Sequence, residues 1–271
     1  MQPVLTVERL SARDNPQNVA LSNAVGWPDT ESEWRVVHDV ARVLGVRRAG
    51  ELVGQGALGL FDGAGTIAKM VVSPGARRQG IGGSILDALL AEANARSLVT
   101  LGLVATPPGQ PLYASRGFEP LGEVVICMGT PRLDDAAEQV SEVSDAQAML
   151  SFDQRFITCS RAAVLCGRLR ESCASAMNAH GFALATSHAS GARLGPIIAA
   201  SDEAARSLTM ALFRAIGGPV RVDVPAARRE FRRWLQSLDL VEKGAHLEMS
   251  RGGALPWDVA QRFGLATQAW C

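Results

Sequence analysis

Ile67-Ala68-Lys69-Met70-Val71-Val72-Ser73-Pro74-Gly75-Ala76-Arg77-Arg78-Gln79-Gly80-Ile81-Gly82-Gly83-Ser84 is the stretch on which the fold turns. Residues 67–72 are apolar except for Lys69 and read as a strand. Ser73-Pro74-Gly75-Ala76 stops it. From residue 81 to residue 95, Ile81, Ile85, Leu89 and Ala93 recur on one stripe, which predicts a helix lying on a sheet. The glycine-rich loop between the two sets consecutive backbone N–H groups at the positive end of that helix, with few side chains in the way. Such a place is an anion site, and a pyrophosphate suits it best. Arg77 and Arg78 add positive charge.

Working outward towards the N-terminus, residues 5–10 alternate apolar and polar and read as an edge strand. A helix is expected from residue 15 to about 25, and another over 33–43 with Thr30 or Ser32 as its cap. Strands follow at 44–48 and 52–60, joined by Ala49-Gly50-Glu51. On the other side, residues 98–105 lack alternation and read as a strand buried on both faces. A short helix over 110–116 ends at Gly117, and a strand over 123–128 closes the first half. Residues 131–146 are acidic, lack aromatics and read as a linker, with helices near 147–157 and 160–170 behind it.

Further on the pattern returns. A strand at 194–200, a helix at 202–216, a strand at 220–224, a helix at 225–238 and a strand at 245–249 repeat the order of residues 66–128. The repeat differs at the decisive place. Ser201-Asp202-Glu203-Ala204-Ala205 has neither glycine nor arginine, and its acids would repel a phosphate. The second half is therefore not expected to grip an anion there.

The 271 residues suit two domains of roughly 130 each. Lys+Arg and Asp+Glu are both 27, so the basic excess typical of a nucleic-acid binder is missing and no nucleic-acid partner is expected. The arginine pairs at 228–229 and 232–233 read as solvated helix faces. Cys159, Cys166 and Cys173 recur at heptad spacing, which reads as one helix face rather than a metal site. The first ten residues lack a basic segment followed by an apolar core, and no apolar run is long enough to span a bilayer. A soluble cytoplasmic protein with no membrane partner and no metal is the expectation.

Two other glycine loops fail on these residues. A Walker loop needs Lys-Ser/Thr after its last glycine, and Gly80 is followed by Ile81-Gly82. A dinucleotide fingerprint needs a third glycine where Ile85 stands. Downstream, Pro111-Leu112-Tyr113-Ala114-Ser115-Arg116-Gly117-Phe118 holds the only tyrosine of the chain.

Val72-Ser73-Pro74, Arg77-x-x-Gly80-x-Gly82 and Leu112-Tyr113-x-x-x-Gly117-Phe118 together resemble the GNAT acyltransferase superfamily over residues 4–130. The segment from Leu21 to Trp27 and the degenerate second half resemble its tandem subgroup, in which an acetyltransferase domain precedes a divergent copy. The resemblance implies an α/β (α+β) protein of two GNAT-like domains, over 1–130 and 147–271. Each domain would have a mixed, mostly antiparallel sheet flanked by helices. It implies acetyl-CoA as co-substrate, with the pyrophosphate at Arg78, Gln79, Gly80, Ile81, Gly82 and Gly83, Arg77 as the motif arginine and Ser84 adding a hydroxyl. Backbone groups of Met70, Val71 and Val72 would hold the pantetheine arm, and one N–H there would stabilise an oxyanion. Tyr113 stands at the family's general-acid position, and a phenol keeps its proton near neutral pH.

The carboxylate that many relatives place before the loop is missing from Thr66-Ile67-Ala68-Lys69-Met70, which leaves Asp62, Glu33, His38 or a water chain as base. Thr106-Pro107-Pro108 stands where relatives often have an asparagine. Trp27 and Trp34 are candidates for an acceptor pocket. Asp153, Phe156 and Arg161 resemble a segment of the subgroup, while His246 and Glu248 on the last strand could face a cleft but read as buried or solvated before catalytic. The expected reaction is N-acetylation of a small-molecule amine in a direct ternary complex, the second half shaping the acceptor site or making a homodimer contact. The rivals are a non-catalytic acyl-CoA-binding protein and a protein N-terminal or lysine acetyltransferase.

Overall fold

The structure, a computed structural model, describes residues 5–133, 140–188, 191–257 and 260–270. The expected linker over 131–146 falls in part outside them. In the first half the elements are β1 (Val7–Arg9), α1 (Asn15–Asn23), α2 (Glu31–Val40), β2 (Ala41–Arg48), β3 (Glu51–Leu60), β4 (Ala64–Val72), α3 (Ile81–Ala95), β5 (Thr100–Ala105), α4 (Gln110–Ala114) and β6 (Glu119–Gly129). The second half adds α5 (Ala146–Asp153), α6 (Ala162–Arg170), β7 (Ser172–Asn178), β8 (Gly181–His188), β9 (Gly191–Ala199), α7 (Asp202–Ile216), β10 (Val220–Pro225), α8 (Arg229–Ser237), β11 (Val241–Arg251) and β12 (Arg262–Gly264).

Local chemistry explains several of these boundaries. Thr30 and Glu33 form a reciprocal capping box at the start of α2, each side chain accepting the other's backbone N–H. That helix stops at Val40 rather than 43, because Ala41 is already extended and opens β2. Ala49 and Gly50 both have positive φ, the geometry of a tight hairpin turn between β2 and β3.

The strands form one continuous sheet in the order β1-β2-β3-β4-β5-β11-β6-β10-β9-β8-β7, with β12 paired to β9. Its pairings are mostly antiparallel, and β4–β5 and β10–β9 are parallel. The middle of this order is unexpected. β6 does not close against β5. The neighbour of β5 is β11, with Leu247 opposite Ala105. On its other side β11 pairs with β6, and β6 pairs with β10, with Cys127 opposite Val222. The last long strand of each half thus lies against the parallel-paired strand of the other.

Helices cover the sheet. In α3, Ile81, Ile85, Leu86, Leu89 and Ala93 are buried. A Cβ at Gly54 would stand 2.5 Å from Ile81 Cγ2, so glycine there is what lets the helix lie so close to β3. In the second half α7 buries Leu208, Leu212 and Phe213 in a core shared with Val222, Val224 and Phe231. Trp270, at the end of the described chain, crosses back to the first half and packs with Trp34 and Val37. The heptad of cysteines is not a helix face: Cys166 lies on α6, Cys159 precedes it and Cys173 belongs to β7. β7 and β8 were not anticipated, and α8 starts at Arg229 rather than 225.

Candidate active site

The site begins where β4 and β5 part. They pair only at Ala64↔Thr100, Gly65↔Leu101 and Thr66↔Gly102. Beyond Thr66 the ladder ends, although β4 continues to Val72 and stays paired with β3 on its other edge. On that edge Gln55 faces Val71 and Ala57 faces Ala68, so Lys69 and Met70 together oppose Gly56. This is a β-bulge, and within it Lys69 takes a left-handed φ of 52°. Lys69 Nζ lies 2.6 Å from Asp29 Oδ1 and 5.7 Å from the Trp34 ring centroid.

The loop after β4 is exposed from Arg77 to Gly80. Arg77 Nε donates to Val72 O at 3.2 Å, and Gln79 Nε2 donates to Gly75 O at 3.3 Å. Arg78 and Gly80 both have positive φ, and Gly80 is the N-cap of α3 without a side-chain cap. No side chain therefore covers the first-turn N–H groups from that position, which is the condition for an anion site. A Cβ at Gly82 would touch only Leu112 Cδ2 and Val72 Cγ2, both at 3.6 Å.

Tyr113 comes from the short helix α4. It is buried, and its ring meets Phe118 edge-on at 6.0 Å. Burial pushes the phenol pKa up, so the hydroxyl keeps its proton.

These pieces meet at a cleft of about 290 Å³. Met70, Val72, Gly82, Thr106 and Tyr113 line it from the first half, together with Trp27 and Asp29 from the loop before α2. The second half supplies Arg193, Arg221, His246 and residues 267–269. The remaining expected residues stand around the cleft rather than in it. Val71 and Ile81 are core residues, Arg77, Arg78, Gln79 and Gly80 are on the exposed loop, and Gly83 and Ser84 are half-buried in the first turn of α3.

The three carboxylate or imidazole candidates for a base do not line the cleft. Glu33 caps α2 and lies 3.6 Å from Arg193, His38 Nε2 is 3.1 Å from Asn18 Oδ1 and has its pKa lowered by burial, and Asp62 is exposed in the β3–β4 turn. Asp29 and His246 do line it. Asp29 was missed because its link to Lys69 spans two distant segments. His246, which the sequence left open to facing a cleft, lines it, with Nδ1 2.7 Å from Gln268 Oε1. Trp34 is wholly buried, and Glu248 is held by Arg262 through two 2.8 Å contacts. Asp153 and Arg161 form another buried pair, at 2.6 and 2.9 Å. Among the described residues no cluster of three or more His, Cys, Asp or Glu could hold a metal ion.

The second half repeats the geometry and fills it. β9 and β10 pair over Ala192–Leu194 and Val220–Val222 and then part. Gly195 and Pro196 oppose Leu184, a bulge at the place of Lys69 and Met70. Here the gap holds protein. β12 pairs with β9 through Arg262↔Ile198 and Gly264↔Ile197, and Leu265 N–H donates to Asp223 O on β10 at 2.9 Å. Ser201 Oγ also caps α7 by accepting Ala204 N–H, the group that α3 leaves bare.

A family model described as an acetyltransferase (GNAT) domain matches residues 39–120, and a second model of the same description matches residues 149–264. The chain belongs to the GNAT acetyltransferase superfamily. This tandem GNAT protein is an acyltransferase. It is 25% identical over 240 residues to the uncharacterized N-acetyltransferase YitH of Bacillus subtilis, covering 83% of this chain and 82% of that protein. Its fold matches that of a Pyrococcus horikoshii protein with a TM-score of 0.88 at 20% identity, over 99% of this chain and 96% of the other. It also matches a tandem GNAT protein from the clavulanic acid biosynthesis pathway, with a TM-score of 0.69 at 14% identity, over 92% and 99% of the two chains. No helix among the described residues of the GNAT protein is long and apolar enough to cross a membrane.

Proposed function

We propose that this GNAT protein transfers an acetyl group from acetyl-CoA to the amine of a small molecule, with the chemistry in the first half. The carrying observation is that a buried, protonated phenol and the unpaired edge of β4 line one cleft. The residues fit the coenzyme. Gly80 leaves the start of α3 uncapped, and Gly82 leaves its backbone approachable. Arg77, Arg78, Gln79, Gly80, Ile81, Gly82, Gly83 and Ser84 would hold the pyrophosphate, and Met70, Val71 and Val72 would offer main-chain groups to the pantetheine arm, as a strand adds to a sheet edge. When bound, acetyl-CoA supplies the acetyl thioester.

The protein supplies proton control. Tyr113 Oη holds a proton for the sulfur that leaves, and its burial keeps that proton in place until it is needed. Over the whole transfer a C–N bond forms and a C–S bond breaks. Of the two protons an ammonium gives up, one ends on the thiol through Tyr113 and the other goes to solvent through a base. Asp29 is the carboxylate at the acceptor end, and its Oδ2 is buried with no hydrogen-bond partner among the described residues. The acceptor end is walled by Trp27, Asp29 and residues 267–269, which favours a small acceptor over a peptide chain.

Two measurements test this. Calorimetry with coenzyme A should give binding that depends on the loop. Release of free thiol from acetyl-CoA should occur with at least one amine of a broad panel and be strongly reduced in Tyr113→Phe. Tight binding with no thiol release across the panel would leave a binding protein rather than an enzyme.

A further inference from the structure

We infer that the acceptor carries an anionic group, a carboxylate or a phosphate, in addition to its amine, and that Arg193 and Gln268 of the second half receive it while Asp29 receives the amine. The inference rests on the transferase reading above and deepens it.

The observations are three polar atoms that are buried with no hydrogen-bond partner among the described residues, all in residues that line this cleft. Asp29 Oδ2 is an acceptor: Oδ1 takes Lys69 at 2.6 Å, and the side chain is only 7% exposed. Arg193 Nε and Gln268 Nε2 are donors. Arg193 Nη1 lies 3.6 Å from Glu33 Oε1, and Gln268 uses its oxygen on His246 at 2.7 Å. Orphaned buried atoms occur elsewhere among the described residues too, but these three belong to residues that line one cleft, the acceptor from the first half and the donors from the second. One acceptor from the first half and two donors from the second are the complement of a molecule with an ammonium at one end and an anion at the other.

Charge points the same way. Lys69, Arg193 and Arg221 line the cleft against Asp29 as its one lining carboxylate. Asp223 takes both Nε and Nη2 of Arg221, at 2.8 and 3.1 Å, and lies behind the wall rather than in it. Each lining cation thus has a carboxylate neighbour, but the partners of Arg193 and Arg221 stand outside the lining, so the second-half wall presents cationic groups to the cleft and the first-half wall presents Asp29, an uneven spread that suits a ligand carrying both signs of charge. Arg168, in an adjoining cavity, is pushed down to about 10 by burial and by Arg193, as expected where positive charge is crowded.

The test uses the full chain loaded with coenzyme A or acetyl-CoA. Amines are compared in matched sets on the same carbon skeleton: α- and ω-amino acids, aminoalkyl phosphates, and the amines lacking the anion. Binding to the coenzyme A complex is read by calorimetry, and turnover by thiol release. Anionic members should bind and react better than their plain counterparts by about tenfold or more. The carboxylate and phosphate arms tell the two anions apart. Arg193→Ala should raise KM for the preferred member by a similar factor with little change in kcat. Gln268→Glu keeps the shape of the side chain and sets a like charge in its place, so it should weaken the anionic member by a larger factor than its plain counterpart. Both variants should bind coenzyme A as the parent does. Equal or better use of plain amines overturns the inference, as does failure of every member of every set to bind the coenzyme-loaded protein. Failure to bind coenzyme A at all would instead bring down the transferase reading beneath it.

Discussion

Gly82 offers a separation of charge from shape. A Cβ there meets only Leu112 and Val72, each at 3.6 Å, which is ordinary contact. Gly82→Ala should therefore fold as well as the parent, and gains up to about 1 kcal/mol of helix propensity. Gly82→Glu adds a carboxylate in the first turn of α3, where the helix dipole tolerates it. Neither change should lower the melting temperature. Coenzyme binding is another matter. A carboxylate about 4 Å from a phosphate costs about 4 kcal/mol at an effective dielectric of 20. The loop from Arg77 to Gly80 is exposed, and screening trims that to about 2 kcal/mol, roughly thirtyfold in Kd. Calorimetry with coenzyme A and a thermal melt on the same preparations decide the matter. Gly82→Glu should bind at least about thirtyfold more weakly, and Gly82→Ala should lose less, through crowding alone. An unchanged affinity in a stable Gly82→Glu protein would show that no pyrophosphate sits at this turn.

Tyr113→Phe keeps the ring that packs on Phe118 and removes only the hydroxyl, so kcat should fall by about 10²- to 10⁴-fold with coenzyme affinity kept; parallel steady-state kinetics and calorimetry would expose a shared loss, which would mean a packing role instead. Stability should decline in alkali: burial lifts the Cys127 thiol from 9.0 to about 12, so the unfolded chain sheds this proton first and the loss runs from pH 9.0 upward, while stability is full below it. Burial moves Cys159 and Tyr113 in the same direction, and Cys127→Ala should flatten the fall in urea midpoint over this range. Residues 1–130 expressed alone should fail to give a folded, coenzyme-binding unit, because the strand between β5 and β6 would be missing; cooperative unfolding and binding by that fragment would refute this.

The strand–loop–helix at 67–95 was legible because both its signals are local: an apolar run cut by Ser-Pro-Gly, then apolar residues at helical spacing. α3 and α7 fall on the expected residues for the same reason. β7 was illegible because Ser172-Cys173-Ala174-Ser175-Ala176-Met177-Asn178 contains no β-branched or aromatic residue, and its neighbours in the sheet make it a strand. The bulge at Lys69 showed only as a polar break in an apolar run. The crossing of β6 and β11 could not be read at all, since each strand has the same pattern whichever partner it takes. Of the cleft residues opposite the loop, Trp27 was singled out in advance, while three others went unread for a related cause. Asp29, Arg193 and Gln268 lie far apart in the chain, and none sits in a motif.

The crossed strands have a mechanical consequence. Hydrogen-bonded ladders, interrupted only by two register shifts between β11 and β6, join β5 through β11 and β6 to β10, so both walls of the cleft are anchored to one sheet. A jaw that swings open about a hinge between the halves would have to tear those ladders. Traffic in and out of the cleft falls instead to small pieces at its rim, such as the Gly26-Trp27-Pro28 corner, and the distance between the Tyr113 wall and the opposite wall stays set by the backbone.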